Sequence, residues 1–196
     1  GIDTAHTQVL YTHLASSGGR KLCPVSARSV MGEGVSVIDG KLYDCMRRAQ
    51  HVADLNQAPS LPGKHNWQNA AAAYAACRAM GLSREAITAG LMSFPGLAHR
   101  CEFVATIEGV RFVNDSKATN ADATEQALRA FPRVYWIAGG QAKSDGIAPL
   151  TRLFGQVSRA YLIGEASGKY RAILDAADVS NKECGTLNLA VAAAFA

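Results

Sequence analysis

The chain lacks the short signatures that usually decide a chemistry on sight. It has no G-x-x-x-x-G-K-[ST] phosphate loop, no H-E-x-x-H, no G-x-S-x-G and no G-x-G-x-x-G. Nothing in it therefore points to a self-contained P-loop ATPase, a zincin or an α/β-hydrolase, and dinucleotide binding is poorly supported. Cysteine is sparse and unpaired in pattern: Cys23, Cys45, Cys77, Cys101 and Cys184 make an odd count without any C-x-x-C. Reduced thiols packed as small hydrophobes are the simpler reading. His6, His13, His51, His65 and His99 are too scattered to argue for a metal site, so no metal is expected on this chain.

Long apolar runs are also missing. Ala70 to Cys77, closed by Arg78 and equalled in length by Leu189 to Ala196, falls far short of the roughly 20 residues that span a bilayer. No block of like charge exists either; the net charge of +4 comes from 20 basic and 16 acidic residues spread along the chain. Neither a nucleic-acid stripe nor a membrane-binding face is expected. The start, Gly1-Ile2-Asp3-Thr4, has no initiator Met and no signal-peptide pattern, and the end stops inside an alanine-rich stretch without a helix stop signal. Both ends read as cut rather than finished.

What is present is enough apolar residue, 48% of 196, for one ordinary domain or two small ones with cores. Val9, Leu10 and Leu14 recur at helical spacing before Ser16-Ser17-Gly18-Gly19, and Lys21 to Ser26 reads as a short strand. Val35 to Ile38 and Lys41 to Tyr43 flank Asp39-Gly40, a strong hairpin signal. An alanine-rich helix runs from His65 to Met80, and Ser83 caps another that Pro95-Gly96 ends. A composition shift at Leu97 to Cys101 marks the expected domain boundary. Beyond it strands (103–107, 110–113, 134–138, 160–163) alternate with helices (121–131, near Leu150, 170–176 and the C-terminus), which predicts an α/β fold with a mainly parallel sheet.

Two strand-to-helix connections carry the polar residues. Asn114-Asp115-Ser116-Lys117-Ala118-Thr119-Asn120 follows an apolar strand, at the edge where open α/β sheets bind ligands. Taken singly, Asn120 or Thr119 caps a helix and Asp115 and Lys117 are solvated; six polar residues in seven favour a site. Gly139-Gly140-Gln141-Ala142-Lys143 holds the equivalent edge of the next strand, where Lys143 can meet a carboxylate or phosphate. Alone it is an ordinary loop. Asn66 and Asn69, three apart, can turn both amides to one adenine edge, although from spacing alone Asn66 is better read as a helix cap. Arg100 at the junction reads equally well as a phosphate ligand or a surface linker residue.

Together these segments resemble the Mur ligase family. Gly63-Lys64-His65-Asn66-Trp67-Gln68-Asn69-Ala70 is similar to its G-x-H-N-x-x-N-A helix start, Gly96-Leu97-Ala98-His99-Arg100-Cys101-Glu102 to its G-L-x-H-R-x-E junction, and Asn114 to Asn120 to the N-D-S-K-A-T-N segment of the D-glutamate-adding branch. The resemblance implies that residues 1–97 are the end of a central ATPase domain without its phosphate loop. It makes residues 98–196 a Rossmann-like amino-acid-binding domain short of its last segment. It further implies Asn66, Asn69, Arg100 and Asp115 at ATP, Lys117, Thr119 and Lys143 at D-glutamate, and Lys117 and Arg100 as the charged groups nearest the chemistry. Magnesium ligands are then expected on sequence outside this chain. The implied substrates are ATP, D-glutamate and UDP-N-acetylmuramoyl-L-alanine, joined through an acyl phosphate in cytoplasmic cell-wall synthesis. Two other readings stay open: a folylpolyglutamate synthase-like relative, and a non-catalytic Rossmann-type module.

A chain without a phosphate loop has no cradle of backbone amides and lysine for a triphosphate. By itself it should neither hydrolyse ATP nor form the amide; phosphate release above a protein-free control would contradict this.

Overall fold

The computed structural model describes residues 1–141 and 146–196. They form two compact units, 1–114 and 115–196.

The first unit opens with α1 (Ala5–Ser16), started by a capping box in which Thr4 and Thr7 satisfy each other's backbone amides. Helical spacing is realised here, yet no residue of α1 is buried, and Val9 and Leu10 are exposed. A sheet of order β1-β2-β3-β4 follows, from β1 (Val25–Ser26), β2 (Val35–Ile38), β3 (Lys41–Asp44) and β4 (Gln50–Asp54). Only the last two residues of the expected Lys21–Ser26 strand pair. The Asp39-Gly40 hairpin forms as expected: both residues have positive φ, 49° and 80°, and the β2–β3 pairing is antiparallel. Strand β4, which has no clean alternation, escaped the sequence reading.

Helix α2 (Gly63–Ala79) lies on this sheet through Ala70, Ala71, Tyr74 and Ala75, whose small side chains let it approach Val35, Val37 and Leu42. Its alanines thus serve packing as well as propensity. Gly81 adopts φ 89° just past the helix, and Ser83 caps α3 (Arg84–Ser93) by accepting the Ala86 amide.

A single carboxylate ties these layers together. Asp44, at the end of β3 and 2% exposed, accepts the Tyr74 hydroxyl at 2.9 Å, the Met46 amide at 3.0 Å and Arg84 Nε at 3.3 Å, with Arg78 Nε 3.8 Å away. Burial alone would raise its pKa; the Met46, Tyr74 and Arg84 donors outweigh it and hold the carboxyl below its ordinary value. Burial and the adjoining carboxylate push Tyr74 up to about 12.

Next come β5 (Glu102–Ile107) and β6 (Val110–Asn114), an antiparallel hairpin turned by Glu108-Gly109, both at positive φ. The hairpin falls on the first unit's side of the division, so the two units part at Asn114/Asp115, later than the composition shift at Leu97. Hydrogen bonds from Asn114 back to His99 and Glu102 tie its two ends.

The second unit contains α4 (Ala121–Ala130), β7 (Val134–Gly139), β8 (Val157–Ile163), α5 (Ser167–Ala176), β9 (Asn181–Gly185) and α6 (Leu187–Phe195). A 3-10 helix, Ala148–Gln156, stands where a helix near Leu150 was expected. Strands β7, β8 and β9 pair in that order, all parallel, as alternation of strands and helices requires. Leu128, Leu150, Phe154, Ala160, Leu162 and Leu174 form the core. Strand β9 was missed because Asn181-Lys182-Glu183-Cys184-Gly185 has no apolar run. Among the described residues no helix is long and apolar enough to cross a membrane.

The Asp44 linkage gives a two-sided pH dependence. Its folded pKa is lowered, so its contribution is present above the unfolded value of about 4 and is lost as pH falls through the folded value. Tyr74 has a raised pKa, so its contribution is present below about pH 10 and is lost as pH rises toward about 12. Tyr74→Phe should flatten the alkaline limb, and Asp44→Ala should cost about 1.5–3 kcal/mol at neutral pH, both read by urea unfolding across pH.

Candidate functional site

Helix α2 begins at Gly63 with Pro62 in the N-cap position and no side-chain cap. Asn66 is therefore not the cap that spacing suggested. Its Nδ2 donates to the Pro62 carbonyl at 2.9 Å, which fixes the amide and leaves its oxygen as acceptor. Asn69, three residues on, is exposed. Between them Gln68 donates to Asp3 at 2.5 Å, and Asp3 also accepts Ser26 Oγ at 2.5 Å and the Ala27 amide at 2.7 Å. This clasp joins the first turns of α2 to β1. Sequence reasoning missed it, since nothing in the chain pairs Asp3 with a residue 65 positions away.

The junction before β5 is a strained turn. Gly96, His99 and Cys101 have φ of 85°, 63° and 44°, and Leu97 and Arg100 form an isolated bridge closed by Arg100 N to Leu97 O at 3.2 Å. Two non-glycine residues at positive φ within three positions are uncommon, and such strain persists only where neighbours over-determine it. Glu102 does so by accepting the His99 amide at 2.8 Å, and Asn114 Nδ2 reaches His99 Nδ1 at 2.9 Å and Glu102 Oε2 at 3.3 Å. Arg100 is left exposed, next to a fixed neighbour.

Downstream, the chain leaves β6 through a compact turn. The Ala118 amide bonds Asp115 O at 2.8 Å, the Thr119 amide bonds Lys117 O at 2.9 Å, and Asn120 Oδ1 caps α4 through the Ala123 amide at 2.8 Å. Asn120 is thus the helix cap, while Lys117 and Thr119 are exposed and Asp115 is half-buried. The turn sets Lys117 and Thr119 in order ahead of a helix N-terminus, where an anion is favoured.

In the second unit the carboxyl ends of the three parallel strands are lined with glycine at positive φ: Gly139 at 151°, Gly140 at 93°, Gly164 at 70° and Gly185 at 74°. Backbone bonds stitch them: Gly140 N to Ile163 O at 2.9 Å, Gly164 N to Gly185 O at 3.1 Å, and Ala166 N to Gly140 O at 2.9 Å. A Cβ on Gly139 would lie 1.8 Å from Ile163 O, and one on Gly164 would lie 3.0 Å from Gly140 backbone. Only Gly139 and Gly140 were singled out from sequence; Gly164 and Gly185 emerge from the sheet order. Lys143 lies outside the described residues. A concavity of about 560 Å³ opens at the opposite, amino-terminal end of the sheet, beside Phe154, Val157 and Ser180, away from the glycine-lined edge.

Among the described residues no three His, Cys, Asp or Glu side chains converge as a metal site. Strands 103–107 and 110–113, expected in the parallel sheet, instead form the separate antiparallel β5–β6 hairpin, so the polar Asn114–Asn120 connection does not leave a strand of that sheet. A parallel sheet with a glycine-lined edge at the carboxyl ends of its strands defines an α/β protein of the Rossmann-like class. Comparison narrows it: the family described as Mur ligase, glutamate ligase domain, matches residues 99–196, and the chain belongs to the Mur ligase family. Its sequence is 51% identical to the UDP-N-acetylmuramoylalanine--D-glutamate ligase of Phenylobacterium zucineum, covering 100% of this chain and 42% of that protein. It is 49% identical to the enzyme of the same name from Rhodospirillum rubrum, covering 97% and 40%. The chain thus spans about two fifths of the length of these relatives. In fold it is similar to UDP-N-acetylmuramate-alanine ligase MurC of Thermotoga maritima, with a TM-score of 0.57, 15% identity and 76% and 35% coverage. It is also similar to MurF of Acinetobacter baumannii, with a TM-score of 0.56, 19% identity and 82% and 36% coverage.

Because no side chain fits at Gly139 without moving β8, Gly139→Ala should cost roughly 3 kcal/mol or more, at the high end for a point change. Hydrogen exchange should show the loss at β7 and β8; unchanged protection there would refute the close-approach argument.

Proposed function

We propose that this chain is part of an ATP-dependent ligase that joins D-glutamate to UDP-N-acetylmuramoyl-L-alanine in cytoplasmic peptidoglycan synthesis. The observation that carries the reading is the Asn114–Asn120 segment. It turns off β6 into a capped helix with Lys117 and Thr119 exposed, in a chain about half identical to ligases of that name. In this reading residues up to about Leu97 end the ATP-binding domain, and residues 98–196 are the domain that receives the amino acid. Magnesium accompanies ATP and is held by residues outside this chain.

The roles carry over from the family resemblance, and the chemistry of each side chain suits them. Asn69, with the Asn66 oxygen, addresses the adenine edge; Arg100 meets a phosphate oxygen and Asp115 the ribose hydroxyls. Lys117, Thr119 and Lys143 hold the carboxylates of D-glutamate. The L-alanine carboxylate oxygen attacks the γ-phosphorus of ATP and ADP leaves, giving an acyl phosphate. The D-glutamate amine then attacks the acyl carbon, a tetrahedral intermediate forms, and phosphate departs as the nitrogen loses its proton. Arg100 and Lys117 contribute positive charge where negative charge builds on phosphoryl and carboxylate oxygens, and the separate turns that order the backbone at each reduce reorganisation during reaction.

Lys143→Ala in the complete ligase should mainly weaken D-glutamate use. Loss of one charge-assisted hydrogen bond, about 1.5–3 kcal/mol, corresponds to roughly ten- to two-hundredfold in the D-glutamate constant, with the ATP constant nearly unchanged. Lys143→Arg should rescue in part, since a planar fork replaces a point charge poorly. Steady-state kinetics with each substrate varied in turn checks this; a rise confined to ATP assigns Lys143 to the nucleotide instead. Absence of D-glutamate-dependent phosphate release by the complete ligase would remove the proposed activity itself.

A further inference from the structure

We infer that Glu102 and Asn114 are positioning residues that hold the His99 ring as the Nε2–H tautomer, making it a second fixed donor beside Arg100 for an anionic oxygen of the nucleotide. The inference rests on the nucleotide role proposed above for Arg100.

One amide sets the state of the ring. Asn114 Nδ2 lies 3.3 Å from Glu102 Oε2 and 2.9 Å from His99 Nδ1. An ionised carboxylate only accepts, so the nitrogen end of the Asn114 amide must face it; the flipped amide would set oxygen against oxygen. The same NH₂ group then donates its other hydrogen to Nδ1, which makes Nδ1 an acceptor and places the ring proton on Nε2. An Nδ1–H aimed at Glu102 instead is not a hydrogen bond, because that separation is 3.8 Å. Glu102 is itself fixed by accepting the His99 backbone amide at 2.8 Å. One carboxylate thereby sets both the backbone and, through Asn114, the ring. The ring is 60% exposed, so Nε2–H is presented outward. Its residue is kept at φ 63° in the turn that also displays Arg100. Strain retained at an exposed imidazole, with two polar side chains spent on its tautomer, is the pattern of a preorganised donor.

The test uses the complete ligase with ring-¹⁵N histidine, at pH above about 8, where an ordinary imidazole is neutral. His99 should show a protonated Nε2 and a bare Nδ1. Asn114→Asp, whose carboxylate can only accept, should move a proton onto Nδ1. Glu102→Gln, which lets the Asn114 amide turn over, should populate both forms. A wild-type ring protonated at Nδ1, or a ring state unmoved by either substitution, overturns the inference. Kinetics supplies the second readout. Asn114→Asp and His99→Asn, the latter suited to positive φ but lacking the Nε2 donor, should each raise the ATP constant about tenfold. The double variant should raise it no further, because both remove one donor; additive rises overturn the coupling. The ring assay requires no turnover, so it decides the tautomer even if the ligase proves to use a different amino acid.

Discussion

The Asp44 carboxylate organises the first unit. An almost fully buried anion survives only if its donors replace the water it has lost, and here they come from three places in the chain: the Met46 amide just after β3, Tyr74 on α2 and Arg84 on α3. Satisfying it requires that β3 end where it does, that α2 lie across the sheet at the depth of Tyr74, and that α3 turn its first residue back toward the strand. The alanines of α2 permit that depth. Depth in turn fixes the first two turns of α2, where Gln68 meets Asp3 and where Asn66 and Asn69 stand. A polar interaction in the core thus sets the position of polar groups at the surface.

The second unit depends on a different constraint, that backbone must approach backbone. Gly139, Gly140, Gly164 and Gly185 allow three strand ends to be joined by main-chain bonds rather than by side chains. The benefit lies in how closely the strand ends can then approach one another. With no Cβ in the way, Ile163 O lies where a Gly139 Cβ would sit and Gly140 backbone where a Gly164 Cβ would sit, and the helix that follows β8 starts directly at the stitched edge. The conformational cost of these glycines is offset by the apolar core beneath them, Leu150, Leu162 and Leu174 among its members.

Much of this was legible in sequence. Asp39-Gly40, Ser83 and Gly81 act through local backbone chemistry, so their effects can be read within a few residues. The β7 and β8 strands announce themselves as apolar runs, and the Asn114–Asn120 segment stands out by composition. What could not be read depends on distance along the chain or on the absence of pattern. Strand β9 lacks an apolar run and is held by its pairing with β8, while β4 sends only Val52 and Ala53 toward the core and takes its place from its pairing with β3. Asn66 looked like a cap because caps are common near that spacing; Gly63, at φ 82°, starts the helix three residues earlier. The Asp3–Gln68 clasp and the Asn114–His99–Glu102 cluster join separated segments, and no periodicity records them. Helix α1 shows the converse: its apolar spacing is genuine, but Val9 and Leu10 are not buried among the described residues.

The candidate site residues share one physical arrangement. Asn66 is bonded back to Pro62, Asn120 caps α4, and Glu102 and Asn114 are spent on His99, so each motif contains residues that satisfy their own backbone or neighbours beside residues that remain exposed. Reactions that build charge on phosphoryl and carboxylate oxygens gain most from donors already in place, because a mobile cation would have to be ordered during the reaction itself. Lysine and arginine carry the largest side-chain entropy, so fixing the backbone on either side of Arg100 and Lys117 lowers part of that ordering cost before a ligand arrives. The small polar residues of each motif are therefore as much a part of its chemistry as the charged ones: they hold the turn, and the turn decides where the charge can reach.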